Sequence, residues 1–174
     1  MAVVLEQLKS ETYPIVKWAG GKRQLMLKLL KNIPKSYNRY FEPFIGGGAL
    51  FFELQPNNAY ISDMNEELIN LYQVVRDNVD ELITNLQKHD ISKEYFMEIR
   101  NIDRTEEYQN WSDIKKASRF IYLNRTCFNG MYRVNSKGDF NVPFGHYKNP
   151  RILDENNLIN CSHLLQRTEI KQSG

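Results

Sequence analysis

Histidine and cysteine are scarce in this 174-residue chain, at three and two residues, and their scarcity excludes whole classes of function. Cys127 and Cys161 lie far apart with no C-x-x-C pair or Cys/His cluster around them. Neither a zinc site nor a disulfide framework is expected, and both read as reduced core residues. No run approaches the roughly 18 apolar residues of a membrane span, and the first residues lack a cationic stretch followed by an apolar h-region. A cytoplasmic protein with no membrane partner is therefore expected. Two nucleotide signatures are missing as well. Gly46 and Gly48 meet the first two places of G-x-G-x-x-G, but Phe51 stands at the third, which weakens a dehydrogenase reading. A P-loop ending at Gly21-Lys22 would need glycine at Val16 and Ser or Thr at Arg23, so kinases and ATPases fall too.

What the chain does have is a hydrophobic run that breaks on consecutive glycines, Phe41-Glu42-Pro43-Phe44-Ile45-Gly46-Gly47-Gly48-Ala49-Leu50. Tyr40, Phe41, Phe44 and Ile45 read as the end of a buried strand, and Ala49 to Leu54 as the helix that follows. Glycine supplies the positive φ and close backbone approach of such a turn, and a helix start offers unpaired N–H groups. A tight turn without a ligand is the plain alternative. A second strand, Ala59-Tyr60-Ile61, ends in Ser62-Asp63, where a carboxylate can accept both hydroxyls of a ribose. With the dinucleotide and P-loop patterns gone, this arrangement suits S-adenosylmethionine, which carries a ribose but no phosphate.

The net charge of +2 is unevenly distributed: Lys115 to Arg151 holds eight bases against the single acid Asp139, a segment charge of +7 that leaves −5 for the rest. A cationic third on an otherwise acidic chain is the footprint of a polyanion site, unless it is only a solvated face. Phe128, Tyr132, Phe140, Phe144 and Tyr147 interleave with these bases, and rings beside Arg suit stacked or displaced nucleic-acid bases.

Periodicity predicts a helix over Gln24–Ile33 with Leu25, Leu29 and Ile33 on one stripe, stopped by Pro34. Asp63-x-Asn65 opens a long helix through Leu68, Ile69, Leu71, Tyr72 and Val75, and Asn78 caps another bearing Val79, Leu82, Ile83 and Leu86. Further helices are predicted over Ser92–Asn101, Asp113–Thr126 and Asp154–Leu165, with a strand starting at Thr168. Between them, Asn129-Gly130, Lys137-Gly138, Pro143 and Gly145 punctuate hairpin-like arms. The expected architecture is α/β: a core over 1–66 and 152–174, interrupted by a mostly helical insert over 67–151 with a basic loop at 128–150.

Lys17-Trp18-Ala19-Gly20-Gly21-Lys22, Phe41-Glu42-Pro43-Phe44 with its glycines, and Asp63-Met64-Asn65 are followed by Asn124-Arg125-Thr126-Cys127-Phe128-Asn129-Gly130 and Gly138-Asp139-Phe140-Asn141-Val142-Pro143-Phe144-Gly145. In this order, from about Pro14 to Lys148, they resemble the Dam/DpnM-type DNA adenine methyltransferases. The resemblance implies a partial Rossmann-like core dependent on S-adenosylmethionine, a target-recognition insert, and methylation of the N6 of an adenine flipped from double-stranded DNA, by similarity in GATC. It assigns the cofactor to Trp18, Lys22, Phe44, Gly46, Gly48 and Asp63. An indole packs on the methionine moiety or adenine, and a lysine meets the carboxylate. To DNA it assigns Lys17, Arg125, Phe128, Asn129, Met131, Arg133 and Pro143. Phe128 matches the aromatic residue that fills the space left by the flipped base. Arg133 matches an arginine that grips guanine O6 and N7, while Met131 and Pro143 supply apolar contacts to neighbouring bases. No metal is implied.

One departure concerns the chemistry itself. The family carries a D-P-P-Y motif whose acid and proline carbonyl hold the exocyclic amine, and neither it nor an N-P-P-Y/F/W variant occurs in these residues. The expectation is an N-terminal piece, inactive alone, with the catalytic portion on a longer or second polypeptide. A DNA-binding module without catalysis is the alternative.

Overall fold

The computed structural model describes residues 11–20 and 22–173. Gly21 of the Lys17–Lys22 run, with residues 1–10 and Gly174 at the ends of the expected core, lies outside them. After a 3-10 turn at Lys22–Leu25, the chain forms α1 (Met26–Asn32), β1 (Tyr40–Glu42), α2 (Ala49–Leu54), β2 (Ala59–Asp63), α3 (Glu66–Asp77) and α4 (Val79–Leu86). Then come α5 (Lys93–Asn101), α6 (Glu106–Gln109), α7 (Asp113–Thr126), α8 (Glu155–Leu165) and β3 (Thr168–Gln172). The strands make a parallel sheet in the order β1-β2-β3, with Tyr40 opposite Ala59 and Ala59 opposite Thr168. β1 and β2 are joined through α2, and α3 to α8 all lie between β2 and β3.

Local chemistry explains where the helices start. The Asn65 side chain accepts the Leu68 N–H at 2.9 Å, and Glu66 and Glu67 follow in the first turn of α3, matching cap and dipole preferences. Ser92, Ser112 and Asp154 cap α5, α7 and α8 in the same way. Asn78 differs from expectation. Its side chain makes no cap bond to α4; its N–H closes α3 on Val74 O at 2.8 Å, so the two helices abut through one residue, whose φ of −140° and ψ of 40° depart from the extended backbone of the capping residues Asn65, Ser92 and Ser112.

α3 is the central beam. Leu68, Leu71, Tyr72 and Val75 are buried with Phe51, Phe52 and Ile61 from the sheet side, and with Leu82, Phe120, Ile121, Leu158 and Leu165 from α4, α7 and α8. A second cluster joins Phe96 and Ile99 of α5 to Tyr122 and Leu123 of α7 and to Cys127, Phe140 and Val142. α7 therefore belongs to both cores and ties the basic loop to the sheet. The cysteines are free and buried, and burial pushes the Cys127 thiol up to about 11 and the Cys161 thiol up to about 12. That suits inert core residues.

Two expected core stripes are buried in part or not at all. In the first, Ile45 joins the core and Tyr40 packs against it, but the rest of the stripe faces out. Phe41 is 60% exposed and Phe44 72% exposed. β1 is only three residues long, and its alternation turns Glu42 inward and Phe41 outward onto Tyr60, 5.8 Å away between ring centroids. Leu25 and α1 likewise bury nothing, since helical periodicity predicts a face but not its cover. The short elements at Ile102–Arg104 and Glu106–Gln109 carry too few residues for any period to show.

His89 stacks on Tyr122 with centroids 4.4 Å apart and is hydrogen-bonded to Tyr95 Oη and Ser118 Oγ, both at 2.9 Å. Burial lowers its pKa from 6.5 to about 4. The unfolded chain thus takes up a proton below about pH 6.5 that the folded chain refuses until about pH 4, so stability falls as pH drops through that window. The full effect is about 3 kcal/mol. Urea midpoints at pH 7 and pH 4 are expected to show this loss, and His89→Gln is expected to shrink it; an equal loss in the variant would assign it elsewhere.

Candidate functional site

The glycine turn is shaped by what lies on either side of it. Gly46 and Gly48 have φ of +51° and +70°. A Cβ on Gly46 would sit 2.8 Å from Trp18 Cδ1, and one on Gly48 would sit 3.1 Å from Tyr72 Oη. The indole thus packs directly on the turn from one side, while Phe52 and Tyr72 fill the other. The backbone is pinned as well: Tyr72 Oη donates to Gly46 O at 2.7 Å, and Ile45 N donates to Ser62 O at 3.0 Å. Asp63 bridges the two strand ends, one carboxylate oxygen accepting Gly46 N–H and the other Asn65 N–H, each at 3.0 Å. Each oxygen keeps a lone pair beyond these bonds.

Next to this turn lies a cavity of about 1280 Å³, larger than the roughly 300–1,000 Å³ of most small-molecule sites. Trp18, Lys22, Phe44, Gly46, Gly48 and Asp63, all the expected cofactor residues, line it. Lys17 and Arg125, expected on DNA, line it too. Trp18 is half-buried against the Tyr132–Phe120 pair, with centroids 5.5 and 6.2 Å away, planes within 24°, and the two partner rings 5.0 Å from each other. Lys22 is ion-paired to buried Glu42, which also accepts Tyr40 Oη–H at 2.6 Å; burial and that bond hold the Tyr40 phenol far above its usual range. Glu42 is a cavity residue that periodicity could not single out, although the Glu42-Pro43-Phe44 run contained it. Arg125 donates to Ile15 O at 2.6 Å, and burial lowers its pKa. It sits at the cavity wall rather than on the basic arm.

The arm is a folded-back loop. Antiparallel bridges join Cys127 to Phe144 and Val134 to Phe140, and Phe128 N donates to Pro143 O at 2.8 Å. Phe128, Asn129, Arg133 and Pro143 are exposed on it and Met131 is half-buried. Asn129 has φ +56°, which tilts the exposed end of the turn. Arg133 is held by Asn141, with Nε on Oδ1 at 2.6 Å and Nη2 on the carbonyl at 3.3 Å. The interleaved aromatics divide: Phe128 and Tyr147 are displayed, whereas Phe140 is buried, Phe144 packs on Phe96, and Tyr132 packs on Trp18. The bases divide as well. Arg119 is 1% exposed and paired with Asp103 and Glu67, so it adds nothing to a surface field. Arg100 and Arg104, outside the segment counted in sequence, lie close enough to each other and to Arg133 for repulsion to lower the Arg100 pKa alongside burial. Their spacing of four on or just beyond α5 was the available signal.

Residues 18–173 match the model of the D12 class N6 adenine-specific DNA methyltransferases. The chain belongs to that family. Among its relatives is a type II methyltransferase of Lactococcus lactis subsp. cremoris, 47% identical over 97% of this chain and 60% of the relative. Another, from Methanocaldococcus jannaschii, is 42% identical over 92% of this chain and 61% of the relative. The DNA adenine methylase of Escherichia coli is 35% identical over 78% of this chain and 48% of its own length. This D12-class chain thus spans about half to three fifths of the length of these three relatives. Among the described residues, no helix is long and apolar enough to cross a membrane.

Proposed function

We propose that this chain forms the donor-binding wall and the DNA-reading arm of a site-specific DNA adenine-N6 methyltransferase with a partial Rossmann-like core. The observation that carries this reading is the convergence of Trp18, the glycine turn and Asp63 on one cavity that Lys17 and Arg125 also line. An unrelated nucleotide-binding protein would scatter them.

The donor set fits S-adenosylmethionine, whose sulfonium supplies an electrophilic methyl group when bound. Asp63 keeps acceptor capacity for ribose hydroxyls, Trp18 offers an indole face, and Lys22 or Arg125 offers a cation for the carboxylate. Glu42 holds Lys22 against the wall. Holding donor and acceptor in one cavity lets proximity and orientation lower the barrier. The cavity exceeds what one small ligand takes, leaving room for an adenine. Lys17, Phe128, Asn129, Met131, Arg133 and Pro143 form the DNA side, with residues 67–151 as the recognition insert. Its α3 also serves as cover for the sheet.

Arg133→Ala is expected to relax preference at one base pair, the mutant losing about 1–3 kcal/mol of discrimination between GATC and singly altered duplexes while still binding DNA. Unchanged discrimination in fluorescence anisotropy would sink its assigned role. Calorimetry with S-adenosylhomocysteine and anisotropy with a GATC duplex test the whole reading, and a chain that binds neither overturns it. A second reading is a DNA-binding module without catalysis, supported by the exposure of Phe128, Asn129 and Arg133 on the arm. Methyl transfer by this chain joined to the remaining portion of a relative, but not by the chain alone, would favour the enzyme; transfer by neither would favour the module.

A further inference from the structure

One side chain links the cavity to the arm. Asn124, on the last turn of α7, is only 3% exposed. Its Oδ1 accepts Lys17 N–H at 2.8 Å, and its Nδ2 donates to Lys17 O and to Gly130 O, both at 2.9 Å. The amide thus pairs with both backbone groups of Lys17, as a neighbouring strand would, and spends its second hydrogen on the residue that closes the Phe128–Gly130 turn. Only one orientation satisfies all of these partners, since Lys17 N needs an acceptor and both carbonyls need a donor. The contact is reinforced sterically. A Cβ on Gly130, at φ +63°, would run into the Lys17 side chain. A parallel link runs through the rings, from the glycine turn through Trp18 to Tyr132, whose hydroxyl donates to Glu67 at 3.0 Å.

We infer that Asn124 is a positioning residue that holds the Lys17–Trp18 cavity wall and the Phe128–Gly130 turn in one register, so that occupancy of the cavity and of the arm reinforce each other. This rests on the proposed function of the cavity and the arm. A ligand that orders Lys17–Trp18 fixes both partners of the Asn124 amide, and with them Gly130 O; DNA that orders the turn acts in reverse. Such coupling is reciprocal in binding free energy.

The test measures the affinity of the 174-residue chain for a labelled GATC duplex with and without saturating S-adenosylhomocysteine. Wild type is expected to bind the duplex at least about fivefold more tightly when the cavity is filled. Asn124→Asp sets an oxygen against both carbonyls, and it is expected to bind each ligand separately while the ratio falls to about one. A wild-type ratio of one, or an undiminished ratio in the variant, overturns the inference and leaves the functional reading standing. If wild type binds neither ligand, both fall together. Should Asn124→Asp not fold, Trp18 emission in a Trp111→Phe background serves instead. Duplex alone is expected to shift it, and an unshifted spectrum overturns the inference.

Discussion

Asp63→Ala is expected to weaken S-adenosylhomocysteine binding about 100-fold, close to 2.7 kcal/mol, with little change in non-specific duplex affinity. The variant removes more than a ligand contact. Gly46 N–H and Asn65 N–H both lose their acceptor, and bonds to a charged acceptor contribute about 1.5–3 kcal/mol each. The Gly46 amide sits in a buried turn, so a melting point several degrees lower is expected as well. Asp63→Asn separates the two effects. It retains one good acceptor but turns an amide donor toward one of the N–H groups, so stability should fall partway. Calorimetry and a thermal scan on both variants, with duplex anisotropy as control, check the result. Equal losses of ligand and DNA affinity would point to global unfolding, and an undiminished ligand affinity would remove Asp63 from the site.

The parts legible in sequence were those written by local chemistry. The glycine turn, the Asp63-x-Asn65 helix start and the helices beginning near Ser92, Asp113 and Asp154 each involve residues within a few positions of one another, so residue type and spacing predict them. The convergence of Trp18, Lys22 and Asp63 on one cavity was legible only through the resemblance, because nothing in their spacing brings them together. What could not be read depends on cover and on long-range pairing. Phe41 looked buried because it is apolar, yet which face of a three-residue strand is covered depends on layers far away in the chain. Arg119 looked like a surface base for the converse reason: its partners Asp103 and Glu67 are 16 and 52 positions away in the numbering, and helical periodicity does not report them. Tyr132 was assigned to a basic, base-stacking segment, and its ring instead completes the wall behind Trp18.

Arg119 carries the second large expected effect. Its Nε donates to Ile99 O at 2.9 Å, and its Nη2 donates to Arg100 O at 3.0 Å and to Asp103 Oδ2 at 2.6 Å. Asp103 Oδ2 also accepts Phe140 N–H at 2.8 Å, so one buried carboxylate joins the helical insert to the arm. Asp103 Oδ1 has no further hydrogen-bond partner among the described residues, which leaves the guanidinium as its main compensation. Arg119→Met keeps the volume and strands that charge, and a loss of about 3–5 kcal/mol in urea unfolding is expected. Arg119→Lys restores the charge without the fork and should recover only part of it. Adding Asp103→Leu to Arg119→Met should also return part of the loss, since the stranded Asp103 charge is then gone, although half-buried Glu67 has lost its ion pair and Phe140 N–H its acceptor. Because Phe140 lies in the arm, duplex affinity should fall more than S-adenosylhomocysteine affinity in Arg119→Met under conditions where it is still folded. A loss below about 1 kcal/mol would mean that Asp103 is hydrated or protonated in the folded chain, and that the arm is held by its apolar contacts with Phe96 and Tyr122 instead.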